Sequence, residues 1–552
     1  MTKSHLNKIQ ELLTNSKSEL TEESLLNIIN SRRSLANYPI EPLYFAIETM
    51  SMESLGEMLP LLSKNQRKGL WHIDFWKKDR VYPEDVKKWV VANFYNKEAL
   101  VKEEFLQSSE FLLFLKTIFN IWTFDYDEPE YPEHNNYFLT EDALLLVEFK
   151  EEDESIATIA KALIQEMYSI FGVEQSYTML FKIVATSYVY EEEELYKLKC
   201  SLLNEFGFLS HYEALKLISP FPNIKFVKLG KVDKVHTPVI DKFHLNQSLS
   251  VAQVRVFEKN VDIINSELSN IESIDRQNFL KFNLIRTLNA SFTLAGGLKK
   301  GRVALLNNSK RSKTYITLGI NYLKSKNVLN PLSDHTFGEC YKIGMTLLND
   351  MNKDINNVLK KNKVNISSIP LLGKVLNDIY QDAIENTSLI NSNDPFAKYN
   401  ETIKKVILFK SILPYSKEIL ATFLLLKKDN KIDDTYYFNQ TLNEIDFEDI
   451  LLTLIVNHFN KNDSINKLGV TIDEFKNFYH NFYSSSGKII SPQNLDHLII
   501  EFCEKFGVNV DGINNYIFNL FQNNLEGYLL STMKSDEYKH VGGVILLYQT
   551  SH

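Results

Sequence analysis

The stretch Pro42-Leu-Tyr-Phe-Ala-Ile47, Ser54-Leu-Gly-Glu-Met-Leu-Pro-Leu-Leu62, Gln66-Arg-Lys-Gly-Leu-Trp71 and Pro83-Glu-Asp-Val-Lys-Lys-Trp-Val90 decides the fold class. Each piece is amphipathic at helical spacing. At roughly six to eleven residues each is too short to offset helix nucleation alone, so the pieces must stack on their neighbours. Ser63 with Gln66 three positions on has capping-box spacing, and Pro83 suits a first helical position, where its missing N–H costs nothing. The expectation is an all-α, mainly helical protein whose N-terminal block is armadillo-like or superhelical, followed by a second helical-bundle region.

The rest of the chain agrees with that beginning. Its 552 residues exceed what one hydrophobic core supports, which predicts several units. A hydrophobic content of 44% with 24% charged residues is that of a folded protein and excludes extended disorder. With 35 Phe and 27 Tyr, the packing is expected to be aromatic. A net charge of -9 opposes the broad positive field that phosphate neutralisation requires, so nucleic acid is disfavoured as a partner. Cys200, Cys340 and Cys503 lie far apart and form no disulfide framework, which fits a reducing compartment. The start lacks the apolar run of a secretory signal. The apolar segments 406–426 and 450–456 are interrupted or too short to span a bilayer, so no membrane insertion is expected and the chain is placed in the cytoplasm.

Along the chain, residues 1–123 read as the N-terminal short-helix block, with 1–35 as its polar lead-in. Residues 124–220 join an acidic, proline-containing loop to three helices. The first covers about Ser155 to Phe171 and stops at Gly172; the second opens with Glu191 to Glu194; the third starts at the Ser210–Glu213 capping box. Residues 221–246, with Pro220, Pro222, Gly230 and Pro238 around the alternating Lys225, Lys228, Lys231 and Lys234, read as a linker. A small β element is expected near 137–149 or 224–240, since periodicity does not separate strand from helix at Tyr137 to Phe149. Helical regions follow at 247–390 and 391–552. Within them, Thr441 with Glu444, Thr471 with Glu474 and Ser491 before Pro492 mark helix starts. Gly319 and Gly344 sit at matching places in two similar apolar runs, Tyr315 to Leu323 and Cys340 to Leu348. Glycine inside a helix costs about 1 kcal/mol against alanine, so both positions predict close helix approach.

Four stretches, Pro42 to Trp89, Phe138 to Phe149, Tyr196 to Ala214 and Tyr315 to Leu348, together resemble an uncharacterised bacterial domain-of-unknown-function family over most of the chain. The leucine placement between about 40 and 95 also resembles the superhelical N domain of MgtE-type magnesium transporters, related in shape to flagellar rotor armadillo-like modules. That second likeness implies a stacked-helix fold and no transport, because the membrane and nucleotide-sensing parts have no counterpart. Neither resemblance implies a catalytic residue.

Chemistry-bearing residues are sparse. Gly296-Gly-Leu-Lys-Lys-Gly301-Arg302-Val303 has P-loop glycine spacing, but Arg302 and Val303 stand where a phosphate-reaching lysine and a magnesium-binding hydroxyl are needed, so the glycines read as a helix stop. Lys299, Lys300, Arg302, Lys310, Arg311 and Lys313 form the main basic cluster. Lys299, Lys300, Arg302, Lys310 and Arg311 are candidates for contact with an acidic partner, against a plainly solvated loop. Asp125, Asp127, Glu128, Glu130 and Glu133 offer hard oxygen ligands for a divalent ion, though without EF-hand spacing, and a solvated loop is again the alternative. His236 and His244 flank Asp241, and His335 precedes Cys340, without zinc-site spacing. No cofactor and no catalytic residue is assigned. The leading expectation is a non-catalytic scaffold or adaptor acting through protein partners. The alternatives are a ligand- or divalent-ion-responsive regulatory protein and, third, an enzyme whose site is dispersed along the chain.

Overall fold

In the computed structural model, residues 22–77, 80–186, 188–227, 263–429, 432, 437–462, 467–508 and 512–548 are described. The fold is mainly α-helical and falls into two compact units, residues 1–345 and 346–552, the dividing point lying within the helix Phe337–Lys361.

The first unit begins with the expected short helices: Glu22–Asn30, Ile40–Ile47, Met52–Met58, Lys64–Phe75, Pro83–Tyr95, Ala99–Leu106 and Ser109–Ile118. Local chemistry sets their starts. Ser63 and Gln66 form the reciprocal capping box in front of Lys64–Phe75, and Gln66 also reaches back to the carbonyls of Leu35 and Tyr38. The interior is aromatic, with Trp71 packed edge-on against Trp89 and Phe105.

A β element is present at 137–149: strands Tyr137–Leu139 and Leu145–Phe149 pair antiparallel. A third strand, Phe119–Thr123, pairs with the other edge of Leu145–Phe149, setting Ile121 opposite Val147. Residues 119–123 therefore depart from the helical block predicted to run to 123. Phe119, Ile121, Trp122 and Thr123 are the aromatic and β-branched residues that suit a half-buried pleat. A minimal hairpin also pairs Trp76–Lys77 with Arg80–Val81.

Helices Glu154–Phe171, Val173–Ala185, Tyr188–Glu205 and His211–Ile218 follow. Gly172 stops the first at φ +77°, and the Ser210–Glu213 box opens the last. Residues 228–262 lie outside the described set, and with them most of the expected linker, the alternative strand site beyond Phe226, and His236, Asp241 and His244. Ile224–Phe226 is a single 3-10 turn.

After that segment come Ile263–Ser269, Ile274–Leu294, Gly301–Ser325 and the start of Phe337–Lys361. The paired glycines meet as expected. A methyl on Gly319 would overlap the Cys340 carbonyl, and one on Gly344 would overlap the Tyr315 carbonyl, so the two helices touch backbone to backbone. The two similar runs are thus the two sides of one contact. Beside it, Ser291 bonds Asn308, Ser312 and Tyr341 in a largely buried polar cluster in which Asn308 Nδ2 has no partner.

The second unit holds Lys374–Glu385, Pro395–Lys428, Phe447–Phe459, Ile472–Phe482, Pro492–Lys505 and Ile513–Leu525. Thr471–Glu474 and Ser491–Pro492 start helices as predicted. Thr441–Glu444 does not: its side chains close a turn, and the helix begins six residues later behind the Asp446–Asp449 box. An equally good cap stands directly before the apolar run Ile450 to Val456, and the nearer cap wins. Glu448 caps a different helix, accepting from the backbone amides of Val375 and Leu376 and from the Tyr516 hydroxyl at 2.8 Å. Burial outweighs those bonds and pushes its carboxyl up to about 7.

Candidate functional site

A cavity of about 180 Å³ lies in the first unit, built from four segments far apart in sequence. The C-terminal end of Lys64–Phe75 supplies His72 and Ile73, and the residue that follows supplies Trp76. Helix Tyr188–Glu205 supplies Tyr196, Lys199, Cys200 and Leu203. The turn after it gives Phe208 to His211, and the turn after Ile274–Leu294 gives Thr293 and Gly296 to Lys299.

Each segment is pinned by identifiable bonds. Asp74, buried, accepts from the Tyr44 hydroxyl and from Trp89 Nε1, both at 2.8 Å, which fixes the end of the first helix. His72 Nε2 meets Glu110 Oε1 at 3.0 Å. Burial alone would raise the Glu110 carboxyl; the His72 hydrogen bond and charge reverse this and hold it below the ordinary carboxylate range. Asn289 donates to the Gly207 carbonyl at 3.0 Å, tying the turn before His211 to the long helix Ile274–Leu294. Gly296 and Gly297 adopt φ +109° and +71°, the left-handed turn that ends that helix. Lys299 then reaches the Asp74 carbonyl and Asp85 Oδ2, the latter at 2.8 Å, so the glycine turn is fastened onto the early block.

The lining is mostly apolar with a cationic side. Trp76 and Tyr196 meet edge to face at 5.5 Å, and the Lys199 ammonium lies about 5 Å over both rings. His72 Nδ1 and Trp76 Nε1 are buried with no hydrogen-bond partner. Their residues are 2% and 4% exposed. Cys200 is half-buried, and burial raises its thiol, so it is protonated at neutral pH and poorly suited to nucleophilic attack. Cys340 and Cys503 are buried.

The candidates drawn from the sequence fall elsewhere or disperse. Of the basic cluster, Lys299 is committed to Asp74 and Asp85, and the Lys300 stem folds across Gly296. Lys310 and Arg311 are exposed on Gly301–Ser325, and Arg302 is exposed near its start. Asp125, Asp127, Glu128 and Glu130 are all exposed in one loop, where Asp125 Oδ1 accepts the Asp127 amide at 2.9 Å. Among the described residues, no group of three or more His, Cys, Asp or Glu is arranged to hold a metal ion. No helix among them is long and apolar enough to cross a membrane.

Sequence reasoning missed the cavity. The His72–Trp76 segment, Tyr196 and Gly297 are separated by more chain than any motif spacing covers; the glycine pair, read as a helix stop, was the one visible trace of the cavity.

The family described as a family of unknown function (DUF6178) matches residues 1–534, and the chain belongs to it. No curated protein and no solved structure matches the chain.

Proposed function

We propose that this member of a family of unknown function is a non-catalytic helical scaffold or adaptor that works through protein contacts. The observation supporting it is the outer face of Val173–Ala185. Ser176, Leu180 and Ile183 are buried on one side of this helix, while Val173, Tyr177, Phe181 and Val184 recur at helical spacing on another. Val173 is 55% exposed, and Phe181 and Val184 38% each. Tyr177 and Phe181 stack at 5.6 Å. Contiguous exposed apolar surface of this kind is what protein interfaces use. The test is co-purification of the full chain from its native cells beside Phe181→Glu. A stoichiometric partner lost with the variant, at unchanged thermal stability, is the expected result; a partner retained by the variant, or none in repeated quantitative purifications, contradicts it.

A second reading, a ligand-responsive regulatory protein, is favoured by the cavity with its apolar and aromatic walls and the Lys199 ammonium at one side. A ligand that binds only the native state raises apparent stability in proportion to the logarithm of its concentration. A thermal-shift screen of small organic molecules, with magnesium and calcium alongside, is the corresponding experiment; no shift at saturating concentrations contradicts this reading.

A further inference from the structure

We infer that the outward face of the helix Pro395–Lys428 docks an acidic amphipathic helix of a partner protein. The face belongs to the second unit, so the inference goes beyond the contact proposed at Val173–Ala185 and does not rest on it.

The helical period divides this segment into two sides. Val406, Phe409, Leu413, Leu420 and Phe423 pack inward. The opposite side presents Ile407, Pro414, Ala421 and Leu424 with Lys410, Lys417 and Lys428 set between them, all exposed. Their positions advance by three and four residues in alternation, so they form a single line along the helix, about 30 Å long at about 1.5 Å per residue. Ile407 and Leu425, the latter beside the line, keep 56% and 60% of their surface in solvent. Lys410 and Lys417, which break the apolar run 406–426, are thus placed on the solvent side by the helix itself.

Charge adds a second constraint. Between Thr402 and Lys428 the chain has six lysines and one acid, Glu418, although its net charge is -9. Lys405 pairs with Glu401 and Lys427 bonds Asn443, whereas Lys410, Lys417 and Lys428 have no carboxylate partner among the described residues.

The line and its charge together select the occupant. A stripe this narrow is the seam that one further helix fills, its apolar residues seated between Ile407, Ala421 and Leu424. Its residues facing Lys410, Lys417 and Lys428 must be Asp or Glu, because ammonium groups covered by an apolar or basic surface lose their solvation without gaining a counter-charge. A second copy seated through the same face is disfavoured, since a two-fold contact brings the two lysine-bearing seams together. An anionic bilayer meets a plane rather than a line, and it would press the exposed Glu418, which flanks the seam, against lipid phosphates.

The test titrates the full chain into two fluorescently labelled three-heptad peptides that share one leucine seam and carry either Glu or Lys at the positions facing the lysines. Vesicles of phosphatidylserine and phosphatidylcholine are tested alongside. The Glu peptide is expected to bind at least about tenfold more tightly than the Lys peptide, a difference of about 1.4 kcal/mol spread over three exposed ion pairs, and high salt is expected to shrink that preference. Lys410→Glu and Lys417→Glu combined in one chain are expected to reverse the order, and the exposure of both side chains leaves the fold intact. Phe181→Glu is expected to leave the order unchanged. Equal binding of the two peptides, an order that the double variant does not reverse, binding of neither, or binding of the vesicles alone overturns the inference. Each of these results leaves the Val173–Ala185 reading standing, because co-purification with Phe181→Glu tests that reading on a different helix.

Discussion

The first unit uses glycine in two opposite ways. At Gly319 and Gly344, absent side chains let the helices Gly301–Ser325 and Phe337–Lys361 touch backbone to backbone, with no space for one added carbon. At Gly296 and Gly297, a left-handed turn closes one side of a cavity; a Cβ on Gly297 would meet nothing within 4 Å. The first arrangement spends its contacts on stability, and its neighbouring polar atoms, Ser291, Ser312 and Tyr341, bond one another. The second leaves about 180 Å³ of space between apolar and aromatic walls. Close packing marks structure; space left open between apolar walls marks room for a ligand.

The comparison breaks most readily at the tight contact. Gly344→Ala gains about 1 kcal/mol of helix propensity, but its methyl meets the Tyr315 carbonyl, so a net loss of roughly 3–4 kcal/mol is expected in denaturant unfolding. A stabilised Gly344→Ala chain would contradict the contact. At the cavity, His72→Leu strands the Glu110 carboxylate in the interior and is expected to cost about 3 kcal/mol, with Glu110→Gln recovering part of the loss in the double variant. Equal stability of His72→Leu and wild type would show that the pair carries nothing.

Acid sharpens the contrast, since the glycine contact has no carboxylate and the cavity has one behind it. The folded-state value of Glu110 is lowered, so its contribution is present above the ordinary value of 4.5 and lost as pH falls through the folded one. All four tryptophans, Trp71, Trp76, Trp89 and Trp122, belong to the first unit, so their fluorescence follows this loss. In the second unit Glu448 runs the other way. Its value is raised from 4.5 to about 7, so its contribution is present below 4.5 and lost as pH rises through about 7. Hydrogen exchange at the Leu376 amide, which Glu448 accepts, is expected to lose protection across that window beyond the intrinsic rise in exchange rate; unchanged protection would contradict the raised value. The smallest effect is at the cavity wall, where Cys200→Ala is expected to change stability by less than about 1 kcal/mol because the side chain borders space. A loss as large as that at Gly344 would mean that the cavity is not there.

Local signals were legible in the sequence and convergent ones were not. Ser63–Gln66, Ser210–Glu213 and Thr471–Glu474 cap helices because both partners lie within one turn. The close approach at Gly319 and Gly344 was legible because interior helix glycines need a reason. Thr441–Glu444 misled because a cap shows where a helix is able to start, and the competing Asp446–Asp449 box stood nearer the apolar run. Phe119–Thr123 was missed because five residues are shorter than any window that separates the two periods. The cavity was out of reach: His72 and Gly297 become neighbours only once Lys299 is fastened to Asp74 and Asp85, a pairing no spacing encodes.

The most direct test of the protein-contact reading is hydrogen exchange on the chain alone and on the chain as purified with its cellular partner, compared at residues 173–185. Added protection centred on Val173, Tyr177, Phe181 and Val184 is the predicted result. Protection elsewhere with those amides unchanged would contradict it.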